Sequence, residues 1–450
     1  MNLKFNKIHK FISIFICVLF SILILKNIMT VEIGYDKSDS PSYFNFDLDN
    51  PLRMPVITFI YSRIYFLGAI SLIQNILSLI AWLTLAYSVQ LRVNNPNIKI
   101  LSILLILTLG ITAQVQEHNF VILSESFTIT GLIFIFSFLL LYFFHNQSNL
   151  TLFLLCLSTI FFAGVKQSNN YFSITIIFMI FIYLLQNKTI KLISFMFLVT
   201  TLSILVIFVK IGNQNLDIKS NLTITTIIER TYDDYSARKY WENLDFPPIA
   251  YEVYSSQPTK NPIDMLNETP HIINWKQNSS KYLVESYALR NPGFLLLGPL
   301  KPNLYIKNFT DFESILNYIA NGTRYQSENS FLNWRTGYFD SSIFQKLFSF
   351  PSFYWSSSPA TSQLILIIIF TFFFINLILL NLNANKYTDI KIFIFIQIAF
   401  LFILAAIWLT WHITVTYEMA RYLVPWAIVL RVLLILSCVL VLDKVKKRDV

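Results

Sequence analysis

The chain has 450 residues, of which 55% are hydrophobic and only 13% charged, with a mean hydropathy of +0.57. A soluble protein covers its surface with about a quarter of its residues charged, so this composition excludes a soluble multidomain enzyme, and with it a disordered chain, a coiled coil and a disulfide-rich secreted module. The net charge of +9 suits the loops that a membrane protein leaves in the cytoplasm and gives no ground for a nucleic-acid partner. The expected fold class is an all-α polytopic membrane protein whose second solvent is the lipid bilayer.

Apolar runs fit to cross about 30 Å of hydrocarbon lie near 11–30, 67–91, 98–114, 120–144, 150–166, 170–186, 190–210, 362–383, 391–411 and 422–442, about ten helices in all. The first is read as a retained helix rather than a signal peptide, because it is long and lacks a small-x-small cleavage site. Cations then fix sidedness. Lys4, Lys7 and Lys10 precede the first span, Arg92 and Lys99 follow the second, and Lys188, Lys191, Lys386 and Lys391 sit between later pairs. Lys444, Lys446, Lys447 and Arg448 close the chain. An even number of spans puts all of them on one side, which the positive-inside rule makes cytoplasmic, with both termini there. Cys17, Cys156 and Cys438 fall inside apolar runs and read as buried small hydrophobes.

The chain therefore divides into an N-terminal transmembrane module over 1–210, an extracytoplasmic domain over 211–361 and a C-terminal transmembrane module over 362–450. The first external loop, 31–66, carries chemistry-bearing residues. The middle segment has balanced charge, many Tyr and Trp, and turn pairs such as Asn261-Pro262 and Asn321-Gly322. It reads as an ordered domain of mixed structure.

Polar residues gather at the external mouths of the spans, where ionisable groups are functional candidates by default. Asp36 and Asp39, in Asp36-Lys37-Ser38-Asp39-Ser40-Pro41-Ser42-Tyr43, fit a general base and a positioning or metal-binding group. Helix capping before Pro41 is the competing reading. Gln116-Glu117-His118-Asn119 reads as an external loop, and Glu125 lies several residues into the apolar span that follows. A carboxylate there needs a cation, a hydroxyl or a wet cavity, or else stays protonated as a hydrogen-bond donor. Lys166, in a polar turn that ends at Asn170, either snorkels to headgroups or binds an anion. Arg421 and Tyr422, at the mouth of the last span, suit a bidentate phosphate contact or an interfacial anchor, and Arg53 and Arg63 offer further phosphate contacts. No Walker loop, dinucleotide turn, Cys/His metal spacing, nucleophile elbow or His-Glu-x-x-His helix occurs, so ATP-driven transport is not expected.

The order of these motifs resembles the GT-C superfamily of membrane glycosyltransferases, near the protein mannosyltransferase and lipid A aminoarabinose transferase branch. The matching stretches are Asp39-Ser40-Pro41-Ser42-Tyr43, Arg53-Met54-Pro55, Gln74, Leu123-Ser124-Glu125-Ser126, and Arg421-Tyr422-Leu423-Val424-Pro425. The chain departs from the family at Lys166-Gln167, where a basic-Pro pair is usual, and in having Asp-Ser rather than Asp-Glu in the acidic loop. The resemblance implies a sugar donor carried on polyprenyl phosphate, a glycan, lipid or protein acceptor, and a place in a bacterial plasma membrane. It also implies Asp39 as base with Asp36 as second choice, and Glu125 orienting the donor or a cation. Arg421, helped by Lys166 or Arg53, would bind phosphate, with Tyr43, His118 and Tyr422 in the substrate cavity. No cofactor is required with certainty, and a divalent cation is an open expectation. The competing classes are a lipid-linked polysaccharide polymerase or ligase, and a transporter or flippase without chemistry. The second predicts midplane charges and broken helices. The spans read as clean in their middles, which counts against it.

Overall fold

A computed structural model describes residues 2–30, 40–48, 53–145 except Tyr65, 147–186, 191–212, 235–256, 270–278 and 419–445, with isolated positions between 227 and 291. Among these residues the chain is helical, in keeping with a polytopic membrane protein. In chain order the long and short helices are α1 (Asn2–Thr30), α2 (Pro55–Ser62), α3 (Leu67–Gln90), α4 (Pro96–Gly110), α5 (Ala113–Asn119), α6 (Glu125–Phe144), α7 (Asn149–Ala163), α8 (Gln167–Gln186) and α9 (Leu192–Gly212). Then come α10 (Tyr235–Glu242), α11 (Ile249–Ser256), α12 (Pro270–Asn278) and α13 (Met419–Val445), and a 3-10 turn spans Ser40–Tyr43.

Among the described residues five helices are long and apolar enough to cross a membrane: α1, α3, α6, α8 and α9. The helices α4 and α7, at 15 residues each, extend only about 22 Å. Helix α13 covers the run read near 422–442, whereas the runs read at 362–383 and 391–411 lie outside the described residues. Local chemistry sets several helix starts. Asn95 caps α4 by accepting from the backbone N–H groups of Asn97 and Ile98, with Pro96 as the first helical residue. Ser148 caps α7 by accepting from Thr151.

Burial separates a central helix from a peripheral one. Of the most apolar window of α6, 72% is buried, against 11% for α1, whose Phe11, Phe15 and Ile22 face outward. An apolar outer surface with an apolar core leaves lipid as its solvent. Trp82, Ile106, Ile133, Phe162, Leu198 and Val429 belong to one core that joins α3, α4, α6, α7, α9 and α13. Small residues set the closest approaches: a Cβ at Gly110 would meet the Trp82 ring at 2.8 Å, and one at Gly131 would meet Phe162 at 3.0 Å.

Three sequence expectations change here. The stretch Val115–Asn119 is not an external loop but part of α5, with Gln116 and Asn119 buried. The span read from 120 begins as a helix only at Glu125, which is therefore the first residue of α6 rather than an interior one. The spans are also not clean in their middles, because Arg431 lies within α13 and is 2% exposed.

Of the middle segment, α10, α11 and α12 form a small helical cluster around Trp241, Phe246, Tyr251, Ile272 and Trp275. The Trp275 indole N–H donates to the Leu244 carbonyl at 2.9 Å, and Asp245 turns the chain after α10 with φ of 61°. The described part is helical rather than mixed.

Candidate functional site

The helix termini sort into two ends. At one end Asp443 of α13 meets the turn between α3 and α4, Arg92 lies over the Phe144 ring of α6 at 4.9 Å, and His9 of α1 hydrogen-bonds Asn97 at 3.0 Å. These are the termini that the cation pattern assigns to one side. The opposite end gathers the starts of α3, α6 and α8, the end of α7, and the short elements around them. The candidate site lies there.

Its base is the head of α6. The Lys166 ammonium lies 3.3 Å from Glu125 Oε1, and the carboxylate is 1% exposed against 16% for the lysine. The turn Gly164–Lys166 between α7 and α8 presents the cation, and α2 braces that turn: the Val56 N–H donates to the Gly164 carbonyl at 3.0 Å. A Cβ at Gly164 would run into Val56, so the close approach depends on glycine. Glu125, in the first turn of α6, also sits where the helix dipole favours a negative charge. Lys166 does not snorkel away; it lies against the buried carboxylate.

Ser124, the residue before Glu125, accepts from the Tyr43 hydroxyl at 3.4 Å. The Arg53 guanidinium stacks over the Tyr43 ring at 4.8 Å and donates from Nε to the Ser42 hydroxyl at 2.8 Å. Thus the loop residues Tyr43 and Arg53 join Glu125 and Lys166 through Ser124. Beneath them Tyr61 donates to the Leu123 carbonyl at 3.1 Å and accepts from Gln74 Nε2 at 2.8 Å. Burial first, and the neighbouring Tyr43 second, hold the Tyr61 phenol well above its usual range against the opposing pull of Gln74, so it stays a donor at any physiological pH. Gln74 also donates to the Val121 carbonyl, which pins the bend that precedes α6.

Residues of the last span approach this end as well. The Trp426 ring packs edge-on against Phe162 at 6.4 Å and Phe172 at 5.1 Å, on the two helices that flank the Lys166 turn. Arg421 and Tyr422 lie in the first turn of α13, N-terminal to Trp426, so their backbone is at the Lys166 end. His118 lies in the last turn of α5, half-buried, at the same end. Asp36 and Asp39, the expected catalytic carboxylates, lie outside the described residues.

Two features escaped the sequence reading. Arg431 is a wholly buried cation in mid-span, visible as a lone Arg in Pro425–Leu436. Asn170, four residues beyond Lys166, is fully buried, and neither of its amide atoms has a hydrogen-bond partner among the described residues. Among the described residues no three His, Cys, Asp or Glu side chains come together as a metal site would require. No family model, curated protein or solved structure matches this chain.

Proposed function

We propose that the chain is a membrane glycosyltransferase that moves a sugar from a polyprenyl-phosphate donor to an acceptor hydroxyl on the extracytoplasmic face. The observation that carries this reading is the Glu125–Lys166 pair with Tyr43 and Arg53 joined to it through Ser124. It supports the reading because three stretches far apart in the chain supply two cations, a carboxylate and an aromatic platform at one end of a membrane bundle. A phosphate carried on a lipid tail reaches such a site laterally, without leaving the bilayer.

In this reading Asp39 deprotonates the acceptor hydroxyl, whose oxygen attacks the anomeric carbon, and the polyprenyl phosphate leaves with the bonding electron pair. Arg421, with Arg53 and Lys166, stabilises the charge that develops on the departing phosphate. Lys166 reaches the phosphate only by yielding part of its contact with Glu125, so Glu125 orients the cation and sets how readily it turns to the donor. Tyr43, Tyr422 and His118 line the sugar cavity, and Asp36 is the alternative base.

The test is release of polyprenyl phosphate from defined polyprenyl-phosphate hexoses and pentoses by the purified full chain, read by mass spectrometry. Asp39→Asn lowers the rate by about 10²–10⁴. A normal rate in Asp39→Asn with loss in Asp36→Asn exchanges their roles, and indifference to both removes the base.

A second reading, movement of a lipid-linked polar molecule without chemistry, draws on Arg431 in mid-span and on the break between α4 and α5 at Ile111–Thr112. Donor that changes leaflet in sealed vesicles without release of phosphate would favour it over transfer.

A further inference from the structure

Helix α1 is tied to the bundle at two levels. Near its start the His9 imidazole hydrogen-bonds Asn97 of α4 at 3.0 Å. Farther along, Phe20 and Ile24 are buried in the common core. Beside these contacts a groove of about 330 Å³ runs along α1 from Ser13 to Ile22, with Gln90, the last residue of α3, on its other side.

The groove offers hydrocarbon along its length. Ile14, Val18 and Ile22 recur every fourth residue, so they form one wall, and each is about half exposed. Its two hydroxyls are satisfied inside α1. Ser13 donates to the His9 carbonyl and Ser21 to the Cys17 carbonyl, each at 2.9 Å. Neither needs a polar occupant.

Width and charge select the occupant. Nine residue steps of helix cover about 14 Å, and 330 Å³ spread over that length makes a furrow roughly 5 Å wide. A helix with its side chains is about 10–12 Å across, too broad to seat in it. A single file of hydrocarbon carbons, touching its neighbours at about 4 Å, fits. The mouth is basic. Lys10 is exposed and lies one turn, about 5 Å, before Ser13 and Ile14 on the same face of α1. Lys99 follows Asn97 by two residues in the first turn of α4. Helices α1 and α4 contain no Asp or Glu, and Asp443, the carboxylate at this end, is already bound by the α3–α4 turn.

We propose that the groove binds an anionic phospholipid from the leaflet that the cation pattern makes cytoplasmic. One acyl chain lies along α1 from Ser13 to Ile22, and the phosphate meets Lys10. A zwitterionic lipid brings its own cation to the same mouth and gains less there. The site is at the opposite end of the bundle from the Glu125–Lys166 pair and is independent of sugar transfer.

Native mass spectrometry tests this on the full chain released from nanodiscs that hold equal amounts of phosphatidylglycerol and phosphatidylcholine with identical acyl chains. One phosphatidylglycerol stays on each chain, several-fold in excess of phosphatidylcholine, and Lys10→Gln lowers that excess. Val18→Trp, which fills the furrow from a half-exposed position, abolishes retention of both lipids. Equal retention of the two lipids by the parent overturns the site, as does an excess unaltered in Lys10→Gln or retention unaltered in Val18→Trp. The unmutated chain supplies a further arm. Phosphatidylglycerol with a diazirine midway along one acyl chain labels the peptide that holds Cys17 and Val18 on illumination; labelling of other helices with that peptide unmarked rejects the groove. A disulfide that forms readily between the Cys17 thiols of two chains on mild oxidation would give the groove to a second copy and reject the lipid.

Discussion

Two buried carboxylates close opposite ends of the bundle and are held in different ways. Asp443, at the foot of α13, accepts from the backbone N–H groups of Asn94 and Asn95 at 3.0 and 2.8 Å and from the Asn94 side chain at 3.2 Å. These donors are set by the α3–α4 turn, and the backbone pair neither ionises nor swings away. Glu125, at the head of α6, faces instead an ammonium on a flexible stem at 3.3 Å. Fixed donors make a joint between the last helix and the first ones. A movable cation makes a contact that can be traded for a substrate phosphate, which is why chemistry is proposed at one end and only assembly at the other.

The comparison breaks most sharply at the Lys166 end. Lys166→Met leaves the Glu125 carboxylate buried without its cation and costs about 3–5 kcal/mol. Adding Glu125→Gln in the same chain recovers most of that loss, since a neutral amide is cheaper to bury. Titration with a denaturing detergent, followed by circular dichroism, measures both variants. If the single variant is as stable as the parent, the pair is not a buried ionic contact.

At the opposite end Asp443→Ala removes hydrogen bonds to a charged acceptor, and loss of one such bond costs about 1.5–3 kcal/mol. The same detergent titration reads it. The expected contrast lies in function: donor turnover per folded molecule stays unchanged in Asp443→Ala but falls in Lys166→Met. Equal losses of turnover would mean that the two ends do not divide the work.

A third variant tests how the cation is presented. Gly164→Ala forces a methyl group against Val56 and Phe208 and costs about 1–3 kcal/mol by overpacking. Val56→Ala in the same chain relieves the clash and restores much of the stability. No rescue would mean that α2 does not brace the Lys166 turn.

The spans were legible because their signal is additive: α3, α6 and α9 are long enough that no single residue alters their character. The gathering of basic residues near helix ends was legible for the same reason. Helix α5 was not. Gln-Glu-His-Asn reads locally as a solvated loop, and only its packing against α3, α4 and α6 buries Gln116 and Asn119. The partner of Glu125 was open to guesswork, since a carboxylate at the head of an apolar helix announces a need for a cation but not which of several will meet it. Lys166 is 41 positions away and no periodicity connects them. Arg431 was hidden by averaging, because one cation barely lowers the hydropathy of a long apolar run. Asp443 was lost in a tail whose basic residues dominate its sequence. Asp39 stands out by motif order, a signal that says what kind of residue is used and not where it sits.

The smallest expected effect concerns Arg53, and it separates two kinds of cation. Its guanidinium is a flat group lying on the Tyr43 ring while its Nε–H donates to Ser42. Lysine keeps the charge but not the flat stacking surface or the angled donor, so Arg53→Lys loses about 0.5–1 kcal/mol of stacking. If Arg53 serves mainly to hold Tyr43 in place, Arg53→Lys and Tyr43→Leu weaken folding by similar amounts and the double variant adds little, because both remove one shared contact. If Arg53 also meets the donor phosphate, Arg53→Lys raises the KM for donor while Tyr43→Leu with Arg53 intact raises it less. A double-mutant cycle read in both detergent stability and donor KM therefore tells a brace from a ligand, and it does so at the residue that lies on Tyr43, the side chain that reaches Ser124 at the head of α6.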